Sequence, residues 1–92
     1  MSGGHFDYKQ YELQYITDAI EELIRSNDDE SLDQFGDKRG RGYSLATIKE
    51  FYTAVELLRS AFVYAHRIDW LVSCDDSEES FHKRLAEDLE KL

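Results

Sequence analysis

Apolar and aromatic residues return every three or four positions through Phe6, Tyr8, Tyr11, Tyr15, Ile16, Ala19, Ile20, Leu23 and Ile24. That spacing is one face of an α-helix and predicts a first helix over about residues 8–25, with Glu12, Asp18, Glu21 and Glu22 at polar positions. Asp7 stands where an N-cap would. The period is lost in residues 26–43, an 18-residue stretch with three glycines. A connection of that length exceeds the usual one and reads as a mobile or functional loop, with Leu32 and Phe35 as candidate anchors. Ser44 can cap a second helix. From Leu45 to Ser73 the chain has neither glycine nor proline, so this helix can run for roughly 28 residues, ~42 Å. Asp76 followed by Glu79 has the form of a capping box, and Phe81, Leu85 and Leu89 share one side of a third helix over about residues 77–91. The pattern predicts an all-α fold, a single three-helix domain over residues 1–92 with a long central helix.

The central helix carries more apolar surface than two short neighbours can cover. One side holds Ile48, Phe51, Ala54, Val55, Leu58, Ala61, Phe62, Ala65, Ile68 and Val72, and Leu57, Tyr64 and Leu71 widen it. At 100° per residue, Lys49, Glu56, Ser60 and Arg67 project to the outer side, and so do Val63 and Trp70. Trp and Arg are enriched at the energetic centres of interfaces. Arg59, Val63, Arg67 and Trp70 are therefore the expected interface residues of a homo-oligomer. The alternative is that the helix kinks or that the Lys38 loop folds over this stripe.

Charge narrows the choice of partners. The chain has 11 basic and 20 acidic residues, a net charge of −9. Residues 1–34 hold 2 basic and 9 acidic residues, and residues 74–92 hold 3 and 7. Both ends are acidic, which argues against direct DNA binding, since that needs clustered Lys and Arg. It suits a basic protein partner, or simply solubility. Cys74 is the only cysteine, so no internal disulfide can form, and Asp75 and Asp76 beside it disfavour a reactive thiolate. The opening Met1-Ser2-Gly3-Gly4-His5 has neither a basic region nor an apolar run, and no stretch reaches the ~20 apolar residues that cross a bilayer. The expectation is a cytoplasmic protein without a membrane segment.

Candidate chemistry is sparse. His66 and Asp69 lie three apart on or beside the apolar side of the central helix, where ionisable groups must be matched. They are expected to form a buried polar network, with Asp69 accepting from a tyrosine, from His66 or from an arginine of a neighbour. The glycines of the 26–43 loop permit close backbone approach and open N–H groups, and Lys38, Arg39 and Arg41 among them supply positive charge, which makes the loop the best ligand-binding feature, for a phosphate-containing molecule. Its spacing is not that of a Walker loop. Glu79 and His82 pair as metal ligands can, but no glutamate lies within an apolar stripe to complete the set. No metal, cofactor or catalytic residue is expected, and no serine or cysteine stands in a nucleophile context.

Met1-Ser2-Gly3-Gly4-His5-Phe6-Asp7-Tyr8, Arg67-Ile68-Asp69-Trp70-Leu71 and Asp75-Asp76-Ser77-Glu78-Glu79-Ser80-Phe81-His82 together resemble a group of small proteins of tailed bacteriophages and prophages. The resemblance spans nearly the whole chain. It implies an early phage gene product in the host cytoplasm, of a kind that binds and inhibits host proteins, and it carries over no catalytic residue. Three readings follow. The first is a non-catalytic accessory protein acting on a basic host protein that handles nucleic acid or serves defence. The second is a phosphate or nucleotide binder using the basic loop. The third is a helical assembly subunit.

Overall fold

The computed structural model of the protein describes residues 4–92. Met1, Ser2 and Gly3, which opened the reading of the N-terminus and of the resemblance, lie outside them. Three helices make the fold all-α: α1 (Tyr11–Ser26), α2 (Leu45–Val72) and α3 (Glu78–Glu90). None of them is long and apolar enough to cross a membrane.

Helix α2 has the bounds its sequence predicts. Ser44 holds extended backbone and its hydroxyl accepts the Thr47 amide at 3.3 Å, which satisfies one of the free donors of the first turn. At the other end Asp75 donates to the carbonyl of Trp70 and Cys74 to that of Leu71. Those two bonds close a Schellman turn. Cys74 occupies the left-handed position of this turn, φ 64°, where glycine is usual.

The other two starts differ from expectation. Asp7 and Tyr8 adopt left-handed backbone, φ 57° and 59°, so Asp7 caps nothing and α1 begins only at Tyr11, behind Gln10, whose side chain forms no cap. In α3 the cap is Ser77, whose hydroxyl accepts the Ser80 amide at 3.1 Å. Asp76 is drawn aside, accepting the Ser77 amide and facing Arg84 at 3.7 Å.

Helices α1 and α3 both pack on α2 and, among the described residues, not on each other. The contacts run in opposite senses along the pairs: Tyr11 meets Phe62 and His66, Glu21 meets Arg59 at 2.9 Å, and Asn27 meets Tyr43. Arg67 joins α2 to Asp88 of α3 at 2.6 Å. The resulting molecule is long and thin, 54 × 25 × 14 Å, with a radius of gyration of 17.6 Å. A compact domain of this length would have about 12 Å. Its apolar interior, among the described residues, is Ile48, Val55 and Val63.

The 26–43 connection is folded back on the end of α1. Asn27, itself buried, accepts the Tyr43 amide through its side-chain oxygen at 2.8 Å and donates to the Tyr43 carbonyl at 3.0 Å. Asp33 turns the tip by accepting the amides of Phe35 and Asp37. Leu32 and Phe35 are exposed and anchor nothing. The ring of Tyr43, edge-on to Phe51 at 5.7 Å, takes that part. Gly40 lies flush against α1's end. A Cβ there would stand 2.5–2.6 Å from Ser26 O, Asn27 O and Asp29 N, all backbone atoms that cannot swing aside.

Two substitutions should therefore act in opposite directions in urea unfolding. Gly40→Ala is expected to lose on the order of 2–3 kcal/mol, because backbone must part to admit the methyl group. Cys74→Gly is expected to gain about 0.5–1 kcal/mol by relieving left-handed strain.

Candidate functional site

The most buried ionisable group among the described residues is Asp69, 1% exposed, in the last turn of α2. Its carboxylate gathers the incoming N-terminal segment. The Gly4 amide donates at 3.0 Å, the Phe6 amide at 3.1 Å and the Gln10 side chain at 3.1 Å. The left-handed turns at Gly4, Asp7 and Tyr8 bring these amides inward on one acceptor. Burial alone would raise the carboxyl; the amides of Gly4 and Phe6, the Gln10 side chain and the His5 amide outweigh it and hold the group below the ordinary 3.8.

The donors expected for Asp69, a tyrosine, His66 or an arginine, are thus replaced by backbone amides and a glutamine. Gln10 and Gly4 escaped the sequence reading. The signal was present in a negative form: an acid on an apolar face needs donors, and a glycine-bearing start ahead of the first helix offers unpaired amides.

His66 lies one turn before Asp69 and works through its ring. It stacks on Phe62 at 5.3 Å and meets Tyr11 and Trp70 edge-on, each at 5.9 Å. Its Nδ1 is buried without a hydrogen-bond partner among the described residues. Burial pushes the imidazole below 6.5, with Arg67 adding to the effect against a smaller pull from Asp69 and Asp88. A neutral ring in an aromatic stack fits that environment.

The four residues expected on an outward stripe lie elsewhere. Val63 is 9% exposed and Trp70 is half-buried, while Arg59 and Arg67 are engaged with Glu21 and Asp88. This side of α2 faces α1 and α3, so it is covered by the chain itself. Between α1 and the end of α3 it leaves an open cleft of about 540 Å³, lined by Thr17, Arg59, Phe62, Val63 and Asp88 among others. Leu57, Tyr64, Ile68 and Val72 are exposed on the opposite side, while the exposed Leu45 and Tyr52 lie beside the end of α1.

Lys38, Arg39 and Arg41 are exposed at the loop. The amides expected to be open there are used internally: Arg39 donates to Ser31 O, Gly40 to Asp29 O and Gly42 to Asn27 O. The small hollow beside Lys38 and Gly40 is walled by Asp28, Asp29 and Glu30. An anion entering it would meet carboxylates, so this geometry does not favour a phosphate site.

A surface that sequence reading passed over is the outer face of α1. Tyr15 is 76% exposed there, in the company of Glu12, Asp18, Ala19 and Glu22, all exposed. Among the described residues no group of three or more histidines, cysteines or acids is arranged to hold a metal ion. Comparison with protein-family models, with curated proteins and with solved structures gave no match.

The clamp makes stability depend on pH in a definite sense. Asp69 and His66 both have folded values below their unfolded ones, so the unfolded chain takes up each proton first. The His66 contribution is complete above about 6.5 and erodes below it, and that of Asp69 is complete above about 3.8 and is lost as pH falls through the lower folded value. Asp69→Asn sets an N–H donor against donors and should cost on the order of 2–4 kcal/mol. Urea midpoints across pH, with amide exchange at Gly4 and Phe6, check this: in the variant, which keeps a single acceptor oxygen, at least one of the two amides loses its protection and the acid limb of the profile is blunted.

Proposed function

We propose that this protein is a non-catalytic binding protein that engages a basic partner protein through the outer face of α1. The observation that carries the reading is Tyr15 standing almost free of its own fold within an acidic surround. Tyrosine offers large contact area at little cost in rotamer freedom, and it is enriched at the centres of binding surfaces. Glu12, Asp18 and Glu22 supply the field that steers a cationic surface onto it. The most deeply buried carboxylate is spent on holding the N-terminal segment, which supports a structural use of the chain's ionisable groups. The resemblance to small phage proteins suggests the finer reading: the partner is a host protein with a basic, nucleic-acid-handling surface, and the phage product occupies that surface.

The test is capture from a bacterial lysate on the immobilised chain at rising ionic strength. A basic protein is expected to be retained at low salt and released as screening increases. Tyr15→Ala combined with Glu12→Lys should lower its retention about tenfold or more, with helicity unchanged. Retention that neither salt nor this variant alters would contradict the proposal, as would a lysate from which nothing basic is retained.

A further inference from the structure

We infer that the side of α2 turned away from α1 and α3 is covered by a second copy of this chain. The proposal does not depend on the reading of Tyr15. It begins from area. The chain exposes 6823 Å², whereas a compact monomer of 10.8 kDa exposes about 5,500 Å². The excess, about 1,300 Å², is what one protomer of a permanent dimer hides.

The excess has a definite apolar centre. Leu57 is 66% exposed, and Ala61, Tyr64 and Ile68 are exposed beside it. At 100° per residue these four lie within about 60° of one another, roughly opposite the buried Ile48 and Val55. Their steps of four, three and four residues are those of the apolar seam in paired helices.

Charge selects the occupant. From Leu57 to Ile68 the charged residues are Arg59 and Arg67, and both are turned to the other side, Arg59 to Glu21 of α1 and Arg67 to Asp88 of α3. The apolar face is therefore neutral on a chain of charge −9. Between Leu57 and Ile68 it has no carboxylate with which to attract a basic partner. An identical acidic chain, repelled by the other surfaces, meets no repulsion there.

The seam is also its own mirror. The spacing Leu57, Ala61, Tyr64, Ile68 reads the same in both directions, so two α2 helices crossing antiparallel about a two-fold axis set Leu57 of one copy against Ile68 of the other, and Ala61 against Tyr64. A face that complements itself in this way is what an isologous dimer requires. The alanine leaves room for the tyrosine ring opposite, which allows the helix axes to approach to about 8–10 Å.

Sedimentation equilibrium of the full chain tests the inference. At about 100 μM, a hundredfold above a micromolar dissociation constant, the expected mass is twice the 10.8 kDa of one chain. Leu57→Lys and Ile68→Lys should each return the single-chain mass at unchanged helicity, and Tyr15→Lys, on the outer face of α1, should leave the dimer intact. Should the lysine variants lose their helical signal, a nitroxide on Leu57→Cys in a Cys74→Ser background reads the arrangement directly. The antiparallel crossing places the two labels about 20 Å apart, from the 1.5 Å rise per residue and the axis separation. A wild-type chain of single mass at that concentration would overturn the inference. So would an association that the lysine variants leave unchanged, or a label pair without the 20 Å separation. A monomer that still captures its basic partner would sink the dimer and spare the binding role; a dimer that captures nothing would do the reverse.

Discussion

A helix of 28 residues must be shielded over its whole apolar girth, and this chain supplies helices of 16 and 13 residues to do it. Every other feature follows from how that shortfall is managed. Helices α1 and α3 are placed on adjoining sides of α2, fixed by the pairs of Arg59 with Glu21 and Arg67 with Asp88, and the remaining side is left to solvent or to another molecule. With Ile48, Val55 and Val63 as the buried apolar residues among those described, the free energy of burial within one chain is small for its length. The buried carboxylate of Asp69 extends the cover by a different means. It draws the segment ahead of α1 over the aromatic end of α2, using hydrogen bonds where there is too little apolar surface to do so.

The same constraint explains why helix boundaries were legible in the sequence to different degrees. Ser44 and the unbroken run behind it depend only on neighbours in the chain, and α2 has the predicted bounds. Asp7 has the chemistry of a cap, but an acid more than sixty positions away holds the Gly4 and Phe6 amides, and Asp7 and Tyr8 stand in left-handed backbone from which no helix starts; no local pattern reveals that. Asp76 and Ser77 are adjacent residues of equal capping ability. In the fold Ser77 takes the cap, while Asp76 accepts the Ser77 amide and faces Arg84 two turns into α3. Local propensity sets the menu, and long-range partners choose from it.

Faces were harder to read than boundaries. A helical projection correctly groups Val63 with Trp70 and Leu57 with Tyr64, but it does not say which group meets the two short helices. Ranking sides by apolar content assigned Val63, Trp70, Arg59 and Arg67 to the outside, whereas their arginines find acids on α1 and α3 and turn that side inward. Leu57, Tyr64 and Ile68, on the far side, are left exposed. The covered side carries the buried Ile48, Val55 and Val63 together with the arginines paired to α1 and α3, and a second apolar strip is left uncovered because the two short helices cannot reach it. The loop illustrates a related point: three glycines and three cations suggested open amides, and the amides were already committed to the chain's own carbonyls.

The central claim is that this fold is completed by another copy of itself, and the concentration dependence of its unfolding tests that most directly. If folding and association are one process, the urea midpoint rises steadily as the protein is concentrated, because mass action favours the paired state. A midpoint that stays constant over a hundredfold range of concentration would mean that the single chain is complete, and the account would be wrong.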